Sequence, residues 1–216
     1  MNSPGLRERK KQKTRWAIQE HAVRLFAQQG YDATTVEQIA EAAEVSPSTF
    51  FRYFKTKEDV VVEDRYDPLL IAAIDSAPGG LTPLQLMGHA LTSVFREMDE
   101  AELRQIWHRS RLIFSVPALR ARSVDNMLTS IEVFTPPLAR RMGRDPDDFA
   151  VRAFVGGCVG AMIAAIMTWA RSDGNESLGK LTSGALDALN VLAREDPVLI
   201  GDPLPAESVN RGPLLR

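Results

Sequence analysis

Between Thr35 and Lys57 the stretch TVEQIAEAAEVSPSTFFRYFKTK gathers hydroxyl, guanidinium, phenol and ammonium groups at close spacing. Ser46, Ser48, Thr49, Arg52, Tyr53 and Lys57 offer hydrogen bonds of the kind that phosphate oxygens and base edges accept. A second group lies upstream, where Arg7, Arg9, Lys10, Lys11, Lys13 and Arg15 face one acid, Glu8. Cations at the start of a helix oppose its macrodipole, so their clustering needs another reason. A phosphate backbone provides one, because basic side chains that meet it release condensed counterions. Catalysis finds no comparable set. His21, His89 and His108 are scattered, and none stands at metal-ligand spacing to another or to Cys158. The sequence has no phosphate loop, nucleophile elbow or paired-carboxylate motif. The expectation is therefore no catalytic residue, no metal and no cofactor.

The elements that must position these donors are short and sharply bounded. Ile18, Ala22, Leu25 and Phe26 recur at helical spacing, and Gly30 stops that helix. Thr35 and Gln38 form a capping box for the next helix, whose apolar face is Val36, Ile39, Ala40 and Ala43. Glu44, Val45 and Ser46 make a turn. Ser46 caps the third helix, and Pro47 takes its first position, where a missing amide proton costs nothing. That helix is expected from Pro47 to Phe54, anchored by Phe50 and Phe54. Ser46, Ser48, Thr49, Arg52 and Tyr53 are left outward. Two short helices and a tight turn of this kind present the second helix to a DNA major groove.

These residues resemble the TetR family of bacterial repressors. Thr35, Ile39, Ala40, Ala43, Val45, Ser46, Thr49, Phe50, Phe51, Tyr53, Phe54 and Lys57 stand in the register of its N-terminal signature, and the resemblance covers residues 9 to 60. It implies that Thr35, Ser46, Ser48, Thr49, Tyr53 and Lys57 meet phosphates or base edges. Lys13, Arg15, Pro47 and Arg52 complete the expected DNA-facing set. Two positions depart from the pattern. Glu44 stands where the family usually has Gly, which puts a side chain on a turn that favours a positive backbone angle. Phe51 stands for a common Tyr and lacks its hydroxyl.

Charge agrees with nucleic acid only when divided. Residues 1–57 carry ten Lys/Arg against six Asp/Glu, a net +4, while the rest carry sixteen against twenty-two, a net −6. The isoelectric point near 6.0 hides this asymmetry. One cysteine, Cys158, excludes an intrachain disulfide, and the absence of a signal peptide leads to the expectation of a cytoplasmic protein.

Beyond residue 57 the chain reads as helices punctuated by Pro, Gly and capping residues, so the fold class expected is all-α. Residues 1–57 form the DNA-binding unit, 58–195 a helical ligand-binding and dimerisation unit, and 196–216 a proline-rich tail without fixed structure. A helix is expected from Lys57 to Arg65, a restart at Asp67-Pro68, and helices opened by Thr82 and Asp99. A further helix from Pro117 should break at Pro136-Pro137. Asp145-Pro146 should open a long apolar helix to Arg171, and a last helix should run from Glu176 to Arg194.

Phe154 to Ala170 carries no charge and approaches the length of a membrane span. Its glycines, and Arg152 and Arg171 at its ends, favour a buried helix instead, so no membrane partner is expected. Gly156, Gly160 and Ala164 fall at four-residue intervals and suggest a strip for close helix approach. The family resemblance implies that the last two helices pair into a dimeric four-helix bundle, so that a homodimer reads a palindromic operator on double-stranded DNA.

An effector pocket is expected among Trp107, Ser110 and Phe114, Met127, Ile131 and Phe134, and Cys158 and Met162. FFRYF, YDPLL and SVPALRAR resemble the subgroup typified by the mycofactocin regulator, which implies a small apolar or acyl-CoA-like ligand. The rival expectation is control by a partner protein or by redox at Cys158.

Overall fold

The computed structural model describes residues 5–63, 66–172 and 175–192. Its helices are α1 (Leu6–Gln29), α2 (Val36–Ala42), α3 (Pro47–Tyr53), α4 (Asp59–Val62), α5 (Asp67–Ser76), α6 (Pro83–Glu97), α7 (Glu100–Ser115), α8 (Pro117–Met142), α9 (Phe149–Arg171) and α10 (Leu178–Leu192). Among the described residues there is no strand, and the fold is all-α. The proline-rich tail and the ends expected at Arg65 and Arg194 lie outside the described residues.

Local signals set most boundaries. The capping boxes Thr35–Gln38, Thr82–Gln85 and Asp99–Glu102 start α2, α6 and α7. Gly143, in the left-handed region at φ 64°, ends α8. The basic arm is helical from Leu6 onward, so its cations ride on the first turns of α1. Three expectations need correction. One concerns the helix after α3. The helix expected from Lys57 is short, four residues from Asp59 to Val62. α9 starts at Phe149 because Asp148 accepts from the Ala150 amide as N-cap, while Asp145 accepts from Asp147 in the preceding turn.

The third correction concerns Pro136 and Pro137, which sit inside a continuous 26-residue α8. Each proline deprives an earlier carbonyl of its partner. Phe134, Leu138 and Ala139 on either side are at most 2% exposed, and breaking the helix there would uncover that apolar surface. Core packing wins.

Two main apolar clusters organise the chain. The first joins Ile18, Ala22 and Phe26 of α1, Ile39 and Ala40 of α2, Phe50 and Phe54 around α3, and Val60 to Val62 of α4. This N-terminal core therefore extends past Lys57 through α4. It also swallows Leu119 from the start of α8, fully buried there, with Leu112, Ile113 and Val116 packed alongside. The larger cluster spans α5, α6, α8, α9 and α10. Cross-links join the two regions. The Asp59 carboxylate, 2% exposed, accepts from Arg122 Nε on α8 at 2.8 Å and from the Thr56 amide at 3.0 Å. The Glu63 carbonyl accepts from Gln19 of α1 and Arg109 of α7.

Candidate nucleic-acid interface and effector clefts

α3 is held from behind and capped from the front. Phe50 and Phe54 are at most 1% exposed, with ring centroids 5.7 Å apart. Ser46 Oγ accepts from the Thr49 amide at 3.1 Å, donates to Thr49 Oγ1 at 3.0 Å and lies 2.9 Å from Ser48 Oγ. The result is a hydroxyl cluster at the helix N-terminus, where partial positive charge and outward amides suit an anion. Ser46, Pro47, Ser48, Phe51 and Arg52 are exposed, and Thr49 and Tyr53 are half-buried. The Arg52 guanidinium lies 5.5 Å from the Tyr53 ring centroid.

The turn before α3 carries the strain expected of it. Glu44 has φ 54°, the only positive value of a non-glycine among the described residues. Its amide donates to Glu41 O at 3.0 Å and the Val45 amide donates to Ala40 O at 2.9 Å. Thr35 is exposed, and its hydroxyl accepts from the Gln38 amide at 3.2 Å.

Two expected DNA contacts also hold partners within the protomer. Lys57 Nζ donates to Tyr31 O at 2.9 Å and Thr34 O at 3.1 Å, and it lies 4.0 Å from the Tyr31 ring centroid. Arg15 pairs with Glu63 and lies 5.2 Å from the Phe54 ring centroid. Burial lowers the Arg15 pKa from its ordinary value. Lys57 ties the segment before α4 to the α1–α2 loop, and Arg15 ties α1 to the end of α4. By contrast Arg7, Arg9, Lys10, Lys11 and Lys13 are exposed along α1. Sequence reading missed Asp59 and Glu63 as cross-links, because their partners lie on distant helices. The one local hint was an acid immediately before the apolar run Val60–Val62.

The expected pocket lining is divided. Phe134 and Cys158 are buried in the larger cluster, with Met127, Ile131 and Met162 packed against it. Ser110 is buried and donates back to Ile106 O at 2.8 Å. Phe114 is half-buried near the end of α7. Trp107 stands apart from the α8 and α9 residues, beside Ile106, Trp169 and Leu178. It lines a cleft of about 1030 Å³ between α6, α7, α10 and the end of α9. Phe95, Leu103, Trp107, Trp169 and Leu178 give that cleft apolar walls. Arg96, Arg104 and Lys180, with Glu100, Glu176 and Asp187, give it a charged rim. Trp107 Nε1 is buried without a hydrogen-bond partner.

α9 is long and apolar enough to cross a membrane, with an 18-residue window of mean hydropathy 1.9, and a third of that window is buried inside the protomer. The small-residue strip needs one correction. A Cβ on Gly156 would meet Ile131 of α8 at 3.6 Å, so Gly156 faces its own protomer. Gly157 and Gly160 have open space where a Cβ would go, and both are exposed, as is Ala164. The open strip is therefore Gly157, Gly160 and Ala164.

Residues 18–63 match the family model of the tetR family of bacterial regulatory proteins, and residues 81–192 match that of the MftR C-terminal domain. The HTH-type transcriptional regulator TcmR of Streptomyces glaucescens is 36% identical over 206 residues, spanning 87% of this chain and 88% of that protein. MftR of Mycobacterium tuberculosis, by name a mycofactocin biosynthesis transcriptional regulator, is 28% identical over 84% of this chain and 96% of its own length. Among solved structures, the TetR-family repressor FadR of Thermus thermophilus, in complex with lauroyl-CoA, aligns with a TM-score of 0.51 at 26% identity. That alignment covers 85% of this chain and 97% of FadR. With an N-terminal helix-turn-helix and a C-terminal domain of the MftR type, the chain belongs to the TetR family of transcriptional regulators and is not an enzyme.

Proposed function

We propose that this chain is a homodimeric repressor that leaves a palindromic operator when a small apolar or acyl-CoA-like effector binds its C-terminal unit. The operator is read by Ser46, Pro47, Ser48, Thr49, Arg52 and Tyr53, with Lys13 and the neighbouring cations of α1 on the backbone. Two copies pair through α9 and α10, whose open strip at Gly157, Gly160 and Ala164 lets helices approach closely. An apolar helix only a third buried within its protomer needs such a partner. The soluble, cytoplasmic setting goes with this reading.

The observation that carries the effector half is the aromatic cleft around Trp107 and Trp169, with its unpartnered indole N–H. Its volume is at the upper end of small-ligand pockets. Apolar walls and a charged rim suit a molecule with an apolar body and a polar head. The lauroyl-CoA bound by FadR is of that kind. Redox control through Cys158 is disfavoured, because the side chain is 2% exposed and burial pushes the thiol up to about 12. A thiol that stays protonated is a poor nucleophile.

The test is operator binding measured by fluorescence anisotropy, using DNA from the neighbouring intergenic region and lauroyl-CoA as the probe. Wild type should release DNA while Trp107→Ala holds it. Effector must favour one spacing of the recognition helices over the other, since equal affinity for both shifts nothing. Unchanged operator affinity of wild type at saturating lauroyl-CoA would remove acyl-CoA from the reading.

A further inference from the structure

We infer that a second ligand site lies at the seam between α1 and α7, and that it takes a small, largely apolar molecule bearing a hydroxyl or N–H donor. The seam opens into a cleft of about 400 Å³, walled by Gln19, Val23 and Ala27 of α1 and by Ile106, His108 and Arg109 of α7. Gln19, Val23 and Ala27 stand four residues apart and so share one helix face. A hollow of about 200 Å³ continues the seam, sharing Val23, Ala27 and His108 and reaching Leu112. The first volume alone falls within the range of small-molecule pockets.

Gln19 says what the occupant must offer. It is 7% exposed, and its amide nitrogen donates to Glu63 O at 3.0 Å, which fixes how the amide faces. Its Oε1 is left buried with no hydrogen-bond partner. A buried acceptor without a partner is costly, and a donor on a bound molecule would relieve that cost. Glu20 and Arg24 stand at the rim, and Arg109 of the wall donates to the Glu63 carbonyl, so Gln19 Oε1 remains the acceptor that an occupant would satisfy. The walls belong to different regions of the molecule, since α1 lies in the N-terminal core and α7 borders the effector cleft. An occupant would set the spacing between them. Of the residues named here only His108 also lines the larger cleft, so the site stands whether or not the effector reading holds.

The experiment uses the full chain with 2-naphthol and 2-methoxynaphthalene as probes, followed by ligand-observed saturation-transfer NMR. Naphthol should bind wild type and Trp107→Ala alike. Ala27→Trp fills the cleft from an exposed position of α1. It should weaken naphthol by about tenfold or more and leave the melting temperature unchanged. The methyl ether lacks the donor and should bind wild type about fivefold more weakly. Gln19→Met should erase that difference. The inference is overturned if naphthol does not bind wild type or binds Ala27→Trp equally well. It is also overturned if the ether matches naphthol, or if binding is lost in Trp107→Ala alone, which would place the probe in the effector cleft.

Discussion

The recognition helix and the cleft around Trp107 obtain their side chains in different ways. α3 is fixed between Ser46 and Phe54 by one cap, one proline and two buried rings, all contiguous in sequence. The walls of the larger cleft come from four helices, from Thr92 to Asp187. In the first region a side chain's role follows from its neighbours along the chain. In the second it follows from how each helix is rotated against the others. Between them stand the cross-links at Asp59–Arg122 and Glu63, which tie α4 to α8 and α1 to α7. Leu119 of α8, buried in the N-terminal core, is a further contact between the packed region and the capped one.

The sharpest way to break this contrast uses two neighbouring glycines of α9. Gly160→Leu places a bulky side chain in open space on the protomer, so the monomer should fold normally while pairing fails. Losing the second recognition helix should lower operator affinity by about a hundredfold or more, because the two half-sites are no longer bound by one linked molecule. Gly156→Leu should do the opposite. Its side chain meets Ile131, so it should cost roughly 1–3 kcal/mol of stability with the dimer preserved. Sedimentation velocity with chemical denaturation separates the two outcomes. A Gly160→Leu variant that remains dimeric would refute the strip.

Next in size is the DNA-reading face. Thr49→Ala and Arg52→Ala should each weaken operator binding by about 1–3 kcal/mol, if each removes one good base contact. Non-specific DNA should be bound about as before. Arg52 is exposed, so its loss should leave the melting temperature unchanged. Equal losses on operator and random DNA would show these residues to be phosphate contacts instead.

What could be read from the sequence follows the same divide. The capping boxes, Gly30, Pro47, the Phe50/Phe54 anchor and the outward set of α3 were legible because each depends on residues within one or two turns. The strained angle at Glu44 was legible too, as an acid where the turn favours glycine. The walls of the larger cleft were not. Ser110, Phe134 and Cys158 have the right helical spacing, yet spacing alone does not say which side of a helix faces a cavity and which faces the core. The same limit hid the inward direction of Gly156. It also hid the continuity of α8 across Pro136-Pro137, where buried neighbours outweigh a local rule.

Lys57 provides a finer test of local against long-range assignment. The signature makes it a DNA contact, whereas the structure places its ammonium against two carbonyls and the Tyr31 ring. Lys57→Ala should therefore lower thermal stability and leave the salt dependence of DNA binding almost unchanged. Replacing Lys10, Lys11 and Lys13 together should leave stability intact and flatten the salt slope by about 0.9 for each phosphate no longer neutralised. Salt titrations of operator binding, paired with thermal melts, read both quantities. A flattened slope for Lys57→Ala would return it to the DNA interface.

The smallest expected effect lies in the turn between α2 and α3. At φ 54° a residue with a Cβ crowds the following carbonyl, at a cost of roughly 1–2 kcal/mol that glycine avoids. Glycine in turn loses more freedom on folding, which returns about 0.5–1 kcal/mol. Glu44→Gly should thus stabilise the protein by about 1 kcal/mol or less, a rise of roughly 2–4 °C in the melting midpoint at most. Because the turn's backbone hydrogen bonds do not involve the Glu44 side chain, the position of α3 should be kept and operator affinity should stay unchanged. A lower midpoint would mean that the Glu44 side chain contributes more to the native state than its backbone strain removes. The turn would then be selected for that side chain, and the departure from glycine would be a feature of this chain's own N-terminal unit.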